Sequence, residues 1–161
     1  MPRALFLCTG NSCRSIIGEA LLNHLGGTHW QAFSAGSQPL GQVNPNAVDV
    51  LKRHSIQIEN FSSQSWNEYQ QDFDLIITVC GNAAEENCPV PNSDKLSVHW
   101  GLEDPAHATG TAEEIATAFD RTYFELEARI KELLTLDWSK LNQQQRQQHC
   151  LQIHQQMLLA S

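Results

Sequence analysis

Cys8 closes an apolar run, Ala4-Leu5-Phe6-Leu7, and opens the segment Cys8-Thr9-Gly10-Asn11-Ser12-Cys13-Arg14-Ser15. A helical pattern follows from Ile16 to Leu25. A cysteine, five residues and an arginine, set between a strand and a helix, make a small cup for a tetrahedral oxyanion. Successive backbone N–H groups can turn inward, as in other anion nests. The helix N-terminus adds positive potential. Thr9, Gly10, Asn11, Ser12, Cys13, Arg14 and Ser15 are therefore the candidate oxyanion-binding residues. Arg14 can hold two oxygens in a bidentate fork. The same field favours the thiolate of Cys8, the candidate nucleophile. The plainer alternative is a buried strand-end cysteine beside a solvent-facing arginine. The placement between strand and helix argues against it.

Asp104 lies in His99-Trp100-Gly101-Leu102-Glu103-Asp104-Pro105-Ala106. Pro105 pushes Asp104 toward an extended backbone. A carboxylic acid held there could protonate an oxygen leaving the central atom. Taken alone it is an ordinary acidic turn residue, and its weight comes from the Cys8 loop. Glu103 is the competing acid and lacks the immediate proline constraint.

Cys80 and Cys88 lie in Val79-Cys80-Gly81-Asn82-Ala83-Ala84-Glu85-Glu86-Asn87-Cys88-Pro89. If that segment were wholly helical, the two Cα atoms would stand roughly 12 Å apart. A disulfide needs them within about 7 Å. Oxidation of the pair therefore requires partial unwinding. Gly81 and Asn82 supply a permissive hinge, and Pro89 blocks continuation of the helix. Two buried cysteines acting as small hydrophobes are the structural alternative. Zinc held by Cys80, Cys88 and His99 is disfavoured, because the spacing exceeds that of structural sites and no second close Cys/His pair appears. Cys13 lies inside the anion loop and faces away from the substrate. Cys150 sits in a glutamine-rich tail as a bystander.

These residues need a scaffold that gathers them. Apolar runs at Ala4 to Leu7, Trp30 to Ser34, Asp74 to Val79 and Lys95 to Trp100 read as strands. Helical patterns follow from Ser15 to Leu25, Pro45 to His54 and Ala112 to Leu134. Gly26-Gly27 ends the first as a C-cap, and Asn44 with Pro45 starts the second. The alternation indicates an α/β fold with a parallel sheet and helices on both faces. Active sites of such sheets lie beyond the carboxyl ends of the strands. Cys8, Cys80 and Asp104 each follow a strand, so all three can gather at one edge. The tail, Leu141 to Leu159, offers apolar Leu151, Ile153, Met157 and Leu158. It reads as a helix packed on the domain or on a second chain, or as one loosely held.

At 161 residues and a net charge of −8 the chain fits one compact enzyme domain, residues 1–138, with a helical extension, 139–161. No basic stripe invites nucleic acid. An anionic substrate must be drawn by a local positive site, not by the overall field. No apolar run is long enough to span a membrane, and the N-terminus does not resemble a signal peptide, so a cytoplasmic protein is expected. Five cysteines then read as redox chemistry before a structural disulfide framework.

The segment Phe6 to Ser15 resembles the signature of the low-molecular-weight tyrosine phosphatases and of the arsenate reductases built on their fold. His99 to Ala106 resembles the general-acid segment as the reductases carry it. Val79 to Val90 resembles their redox segment, which the phosphatases lack. Ser34-Ala35-Gly36 and Val43-Asn44-Pro45 also match. The resemblance covers roughly residues 3 to 135 and implies a three-layer fold with a four-stranded parallel sheet in the order 2-1-3-4. It implies reduction of arsenate to arsenite, with Cys8 as nucleophile, Arg14 as oxyanion clamp and Asp104 as general acid. Cys80 then attacks the Cys8 adduct, and Cys88 resolves the disulfide. No bound cofactor is implied. An external thiol reductant is required: thioredoxin, glutaredoxin or a small thiol. Phosphate and sulfate are competing oxyanions. Some reductases of the family bind potassium through residues matching Asn11, Glu19 and Ser34 plus an aspartate. Gln64 stands at the aspartate position here, so no metal is expected. A phosphatase acting through Cys8, and a redox-sensing or oxyanion-binding protein without turnover, are the rival readings.

Overall fold

The computed structural model describes residues 1–57, 61–69, 72–80 and 96–160. Its centre is a parallel sheet of four strands: β1 (Arg3–Cys8), β2 (Gln31–Gly36), β3 (Leu75–Thr78) and β4 (Ser97–His99), in the order β2-β1-β3-β4. Cys8 pairs with Gly36 at the end of β1, and Leu7 pairs with Thr78. All four strands therefore end at one edge, where the chemistry-bearing residues begin.

The alternation of β1 sorts its side chains between two apolar layers. Ala4 and Phe6 face the larger one, together with Leu75, Ile77 and Val98. That layer takes the inner faces of α1 (Arg14–Gly26), α2 (Pro45–Arg53), α3 (Ala112–Leu134) and α4 (Gln143–Ala160). Leu5 and Leu7 face the smaller layer, with Ala35, Phe73 and Ile76. There the 3-10 turn Trp66–Glu68 and edge-to-face rings of Phe33, Tyr69 and Phe73, each pair 5.5 Å apart, provide the described cover.

Helix starts follow their expected chemistry. Asn44 caps α2 by accepting from the Asn46 N–H, with Pro45 at its first position. Thr111 and Glu114 form a reciprocal capping box at α3. The end of α1 differs from expectation. Gly27 has φ −62°, so no left-handed glycine cap is formed. Gly26 gives close passage to α3: a Cβ there would lie 2.5 Å from Cδ2 of Leu134, so that leucine would have to turn aside to admit a side chain.

The tail is packed on the domain. Cys150 is fully buried and its carbonyl accepts from the indole N–H of Trp100 at 3.0 Å. Arg129, buried on α3, donates from Nε to His154 Nδ1 at 3.1 Å. The docked face is built from Cys150, Ile153 and His154, not from the leucines: Leu151 is 43% and Leu158 53% exposed. Among the described residues no helix is long and apolar enough to cross a membrane.

Candidate active site

The loop from Cys8 to Arg14 takes its shape from bonds made on its outer side. The carbonyls of Cys8, Thr9, Gly10 and Ser12 accept backbone N–H groups of Ser37, Gln38, Leu40 and Asn44, at 2.9 to 3.2 Å. The Ser63 hydroxyl also donates to the Gly10 carbonyl at 3.1 Å. A peptide whose C=O is held outward presents the N–H of the next residue to the other side. Four outward carbonyls therefore make an inward ring of donors, an anion nest at the start of α1. The turn is tight enough to need two special residues. Asn11 sits at φ 46°, a left-handed conformation that asparagine tolerates. Gly36 passes so close that a Cβ there would lie 2.5 Å from the Thr9 carbonyl oxygen and 3.0 Å from Cβ of Asn11.

Inside the loop, the sulfur of Cys8 is 2.9 Å from Ser15 Oγ and accepts the Asn11 N–H at 3.2 Å. The direction of the Ser15 bond can be worked out from its neighbours. The Gln64 N–H, a donor only, meets Asn11 Oδ1 at 2.8 Å. That fixes the carboxamide, so Asn11 Nδ2 donates to Ser15 Oγ at 2.9 Å. The Ser15 proton is left to point at Cys8. Two donors thus converge on a buried sulfur and fix where it points. Asn11 and Ser15 were expected among the oxyanion contacts; here their side chains serve the sulfur.

Arg14 is buried beneath the loop. Its Nη1 donates to the Leu102 carbonyl at 2.9 Å and to the Val79 carbonyl at 3.4 Å, and Nη2 lies 3.5 Å from Asp104 Oδ2. The arginine thus ties the anion loop to the segments that follow β3 and β4. Asp104 has ψ 111°, the extended backbone expected before Pro105. Its Oδ1 caps the following turn by accepting the Ala106 N–H at 3.0 Å, and Oδ2 is 3.6 Å from Nε2 of the exposed His107. Glu103 shares a small cleft with Asp104, His107, Arg121 and Glu125. It is the Asp104 carboxylate that meets Arg14.

Cys80 is fully buried two residues beyond the end of β3, with Sγ 4.0 Å from Thr9 Oγ1. The second thiol therefore stands against the wall of the anion loop. Cys88 lies outside the described residues, as do Gly81, Asn82 and Pro89 of the expected hinge. Cys13 is buried beside Ser12, and burial pushes its thiol up to about 12. Burial does the same to Cys150, also to about 12. Both are held as neutral thiols at neutral pH. His99 bonds Thr78 Oγ1 through Nδ1 at 2.7 Å. Among the described residues no group of three or more His, Cys, Asp and Glu side chains could hold a metal ion.

The residues matching the family's potassium ligands do not fit a cation. A cation needs oxygen lone pairs turned toward it. The Ser34 carbonyl already accepts Gln64 Nε2 at 3.1 Å and the Tyr69 hydroxyl at 2.9 Å, and the Ser34 hydroxyl donates to Glu19 Oε1 at 2.5 Å. Gln64 turns an amide N–H into this cluster. Burial pushes the Glu19 carboxyl up to about 7, against the opposing hydrogen bond from Ser34. The resemblance singled out Gln64 only as a lost cation ligand; the strap from Ser63 to Tyr69 that carries it had no signature of its own, since its partners lie some 30 to 50 positions away in the chain.

Comparison with known proteins adds a family to this geometry. Residues 3–148 match the family described as low molecular weight phosphotyrosine protein phosphatase. The chain is 46% identical over 127 residues to an arsenate reductase of Halalkalibacterium halodurans, a match covering 78% of this chain and 90% of that one. Among solved structures it is similar to arsenate reductase from Archaeoglobus fulgidus, with a TM-score of 0.69 and 31% identity, covering 83% of this chain and 99% of that one. It is also similar to a thioredoxin-dependent arsenate reductase of Corynebacterium glutamicum, with a TM-score of 0.60 and 26% identity, covering 84% of this chain and 61% of that one.

Proposed function

The chain belongs to the low molecular weight phosphotyrosine protein phosphatase family, and from that premise we propose that it reduces arsenate to arsenite with electrons from its own thiols. The observation that carries the reading is Cys80: a second buried thiol against the Cys8 loop, touching Thr9. A phosphatase needs the cup, the arginine and the acid. It has no use for that second sulfur.

Arsenate has the shape and charge of phosphate, so the nest and Arg14 accept it. Cys8 Sγ attacks arsenic, one As–O bond breaks, and Asp104 gives its proton to the departing oxygen, which leaves as water. Arsenic is still As(V), bound to Cys8 through sulfur. Cys80, as thiolate, then attacks the Cys8 sulfur. The S–As bond breaks with its electron pair on arsenic, which leaves as As(III), and a Cys8–Cys80 disulfide remains. Cys88 attacks Cys80, freeing Cys8 and closing a Cys80–Cys88 disulfide. An external dithiol supplies two electrons to reopen it. Thioredoxin is the first donor to test, since the Corynebacterium relative carries that dependence in its name; glutaredoxin and small thiols are the others. Reduced thiols of this kind belong to the cytoplasm, where we place the enzyme. Residues 139–161 are an extension of the catalytic unit 1–138, docked through Trp100 and Arg129.

The test is arsenite release with thioredoxin, thioredoxin reductase and NADPH, run beside phosphate release from an aryl phosphate. Arsenite formation that stops in Cys80→Ser while aryl phosphate hydrolysis persists supports the relay. Equal arsenate reduction by wild type and Cys80→Ser would overturn it.

A further inference from the structure

Gln64 makes three kinds of hydrogen bond to two different elements. Its N–H meets Asn11 Oδ1 at 2.8 Å, and its carbonyl accepts the Gly36 N–H at 2.8 Å. Its amide Nε2 donates to the Ser34 carbonyl at 3.1 Å and to the Tyr69 hydroxyl. The orientation of that amide is decided by its partners. A carbonyl only accepts, so nitrogen must face Ser34. Tyr69 spends its own proton on the same carbonyl, so it must accept from Gln64.

We propose that Gln64 is a positioning residue for the Cys8 loop, and that its amide anchors the strap from Ser63 to Tyr69 by hydrogen bonds alone, so that oxyanion capture here needs no monovalent cation. The inference rests on the reading of Cys8 as nucleophile in an oxyanion cup. The chain of consequence runs through Asn11. That residue is held in a left-handed conformation, and its carboxamide is oriented by the Gln64 N–H. With the strap displaced, the carboxamide can turn over and present oxygen to Ser15. Ser15 would then donate to Asn11, and its proton would leave the Cys8 sulfur. The sulfur would then keep one of its two donors, the Asn11 N–H, and be held less firmly in the cup.

The experiment uses the whole chain and needs no arsenate turnover, so its failure is separable from failure of the reductase reading. Phosphate affinity is measured by calorimetry in potassium, sodium and tetramethylammonium chloride at equal ionic strength. Alkylation of the Cys8 peptide by iodoacetamide at pH 7 is followed by mass spectrometry. Wild type is expected to bind phosphate with affinities within about twofold across the three salts. Gln64→Met keeps the length and removes the donor; it should slow Cys8 alkylation about five- to tenfold and weaken phosphate binding. Tyr69→Phe should move both readouts the same way by less, and it decides the question if Gln64→Met does not fold. A more than fivefold gain in wild-type affinity in potassium over tetramethylammonium would overturn the proposal. So would wild-type alkylation and affinity in folded Gln64→Met.

Discussion

Replacing Asp104 by Asn should separate binding from chemistry in opposite directions. The amide keeps an oxygen for the Ala106 N–H that Asp104 Oδ1 now accepts at 3.0 Å, so the turn at Pro105 survives. The ion pair with Arg14 is lost. At 3.5 Å, with the carboxylate 21% exposed, that contact is worth on the order of 1 kcal/mol. The thermal midpoint should therefore move by only a few degrees. Arg14, relieved of a competing carboxylate, should bind arsenate as well as before or a few-fold more tightly. The proposed proton donor, however, is gone, and the arsenate oxygen would have to leave without it. That loss is about 10²- to 10⁴-fold in the chemical step, or roughly 3 to 5 kcal/mol of barrier. Rapid-quench measurement of arsenite in a single turnover, with affinity taken separately by titration, gives the two quantities. An unchanged single-turnover rate under saturating arsenate would refute the assignment and move attention to Glu103 in the neighbouring cleft. A parallel fall in affinity and rate would mean that the substitution had disordered the loop instead.

Other outcomes follow from the same geometry. Cys88→Ser should release about one arsenite per enzyme with no protein reductant and stop at a Cys8–Cys80 disulfide; sustained turnover with thioredoxin would exclude Cys88 as the resolving thiol, and Cys8→Ser should release none. Gly36→Ala puts a methyl group 2.5 Å from the Thr9 carbonyl, so phosphate affinity should fall at least tenfold and stability by about 1 to 3 kcal/mol in urea titrations; wild-type affinity would show that the loop yields freely. His154 is pushed down from its ordinary 6.5 to about 4 by burial, with Arg129 and His99 adding to the effect. Its folded value lies below its unfolded one, so the unfolded chain binds more protons between those values. The stability it contributes is then full above pH 6.5 and is lost as pH falls toward 4. For a ring still partly hydrated we expect about 1 to 2 kcal/mol. His154→Gln should shrink the difference in urea midpoint between pH 7 and pH 4.5, and an unchanged difference would count against the buried pairing with Arg129.

Much of the scaffold could be read from local pattern. An uninterrupted amphipathic period placed α3 at its observed limits, Ala112–Leu134. The strand-end rule brought Cys8, Cys80 and the Asp104 segment to one edge before any contact was known. What escaped was chemistry made between distant segments. Gly26 reads as a helix stop, yet the side chain that closes over it is Leu134, more than a hundred positions away. The leucines of the tail suggested a docking face, but the face that docks is spaced around Cys150, Ile153 and His154. Ser63 and Gln64 are ordinary loop residues by type. Their importance comes from carbonyls and an amide supplied by Gly10, Asn11 and Ser34. Periodicity reports which side of an element is apolar. It carries no information about which backbone group a distant side chain will meet.

The outward-tied carbonyls of the anion loop have a consequence for selectivity. Because Ser37, Gln38, Leu40 and Asn44 hold the nest open from outside, its donors are aimed before any guest arrives. Such a rigid receptor recognises tetrahedral geometry and negative charge, and phosphate offers both as well as arsenate does. Discrimination must then come after capture. Two thiols closing to a disulfide can take arsenic from As(V) to As(III), whereas phosphorus bound to the same sulfur cannot be reduced that way and can only be handed back to water. On the proposed reading phosphate competes with arsenate for the cup, and the working rate would follow the ratio of the two oxyanions more than the amount of arsenate alone.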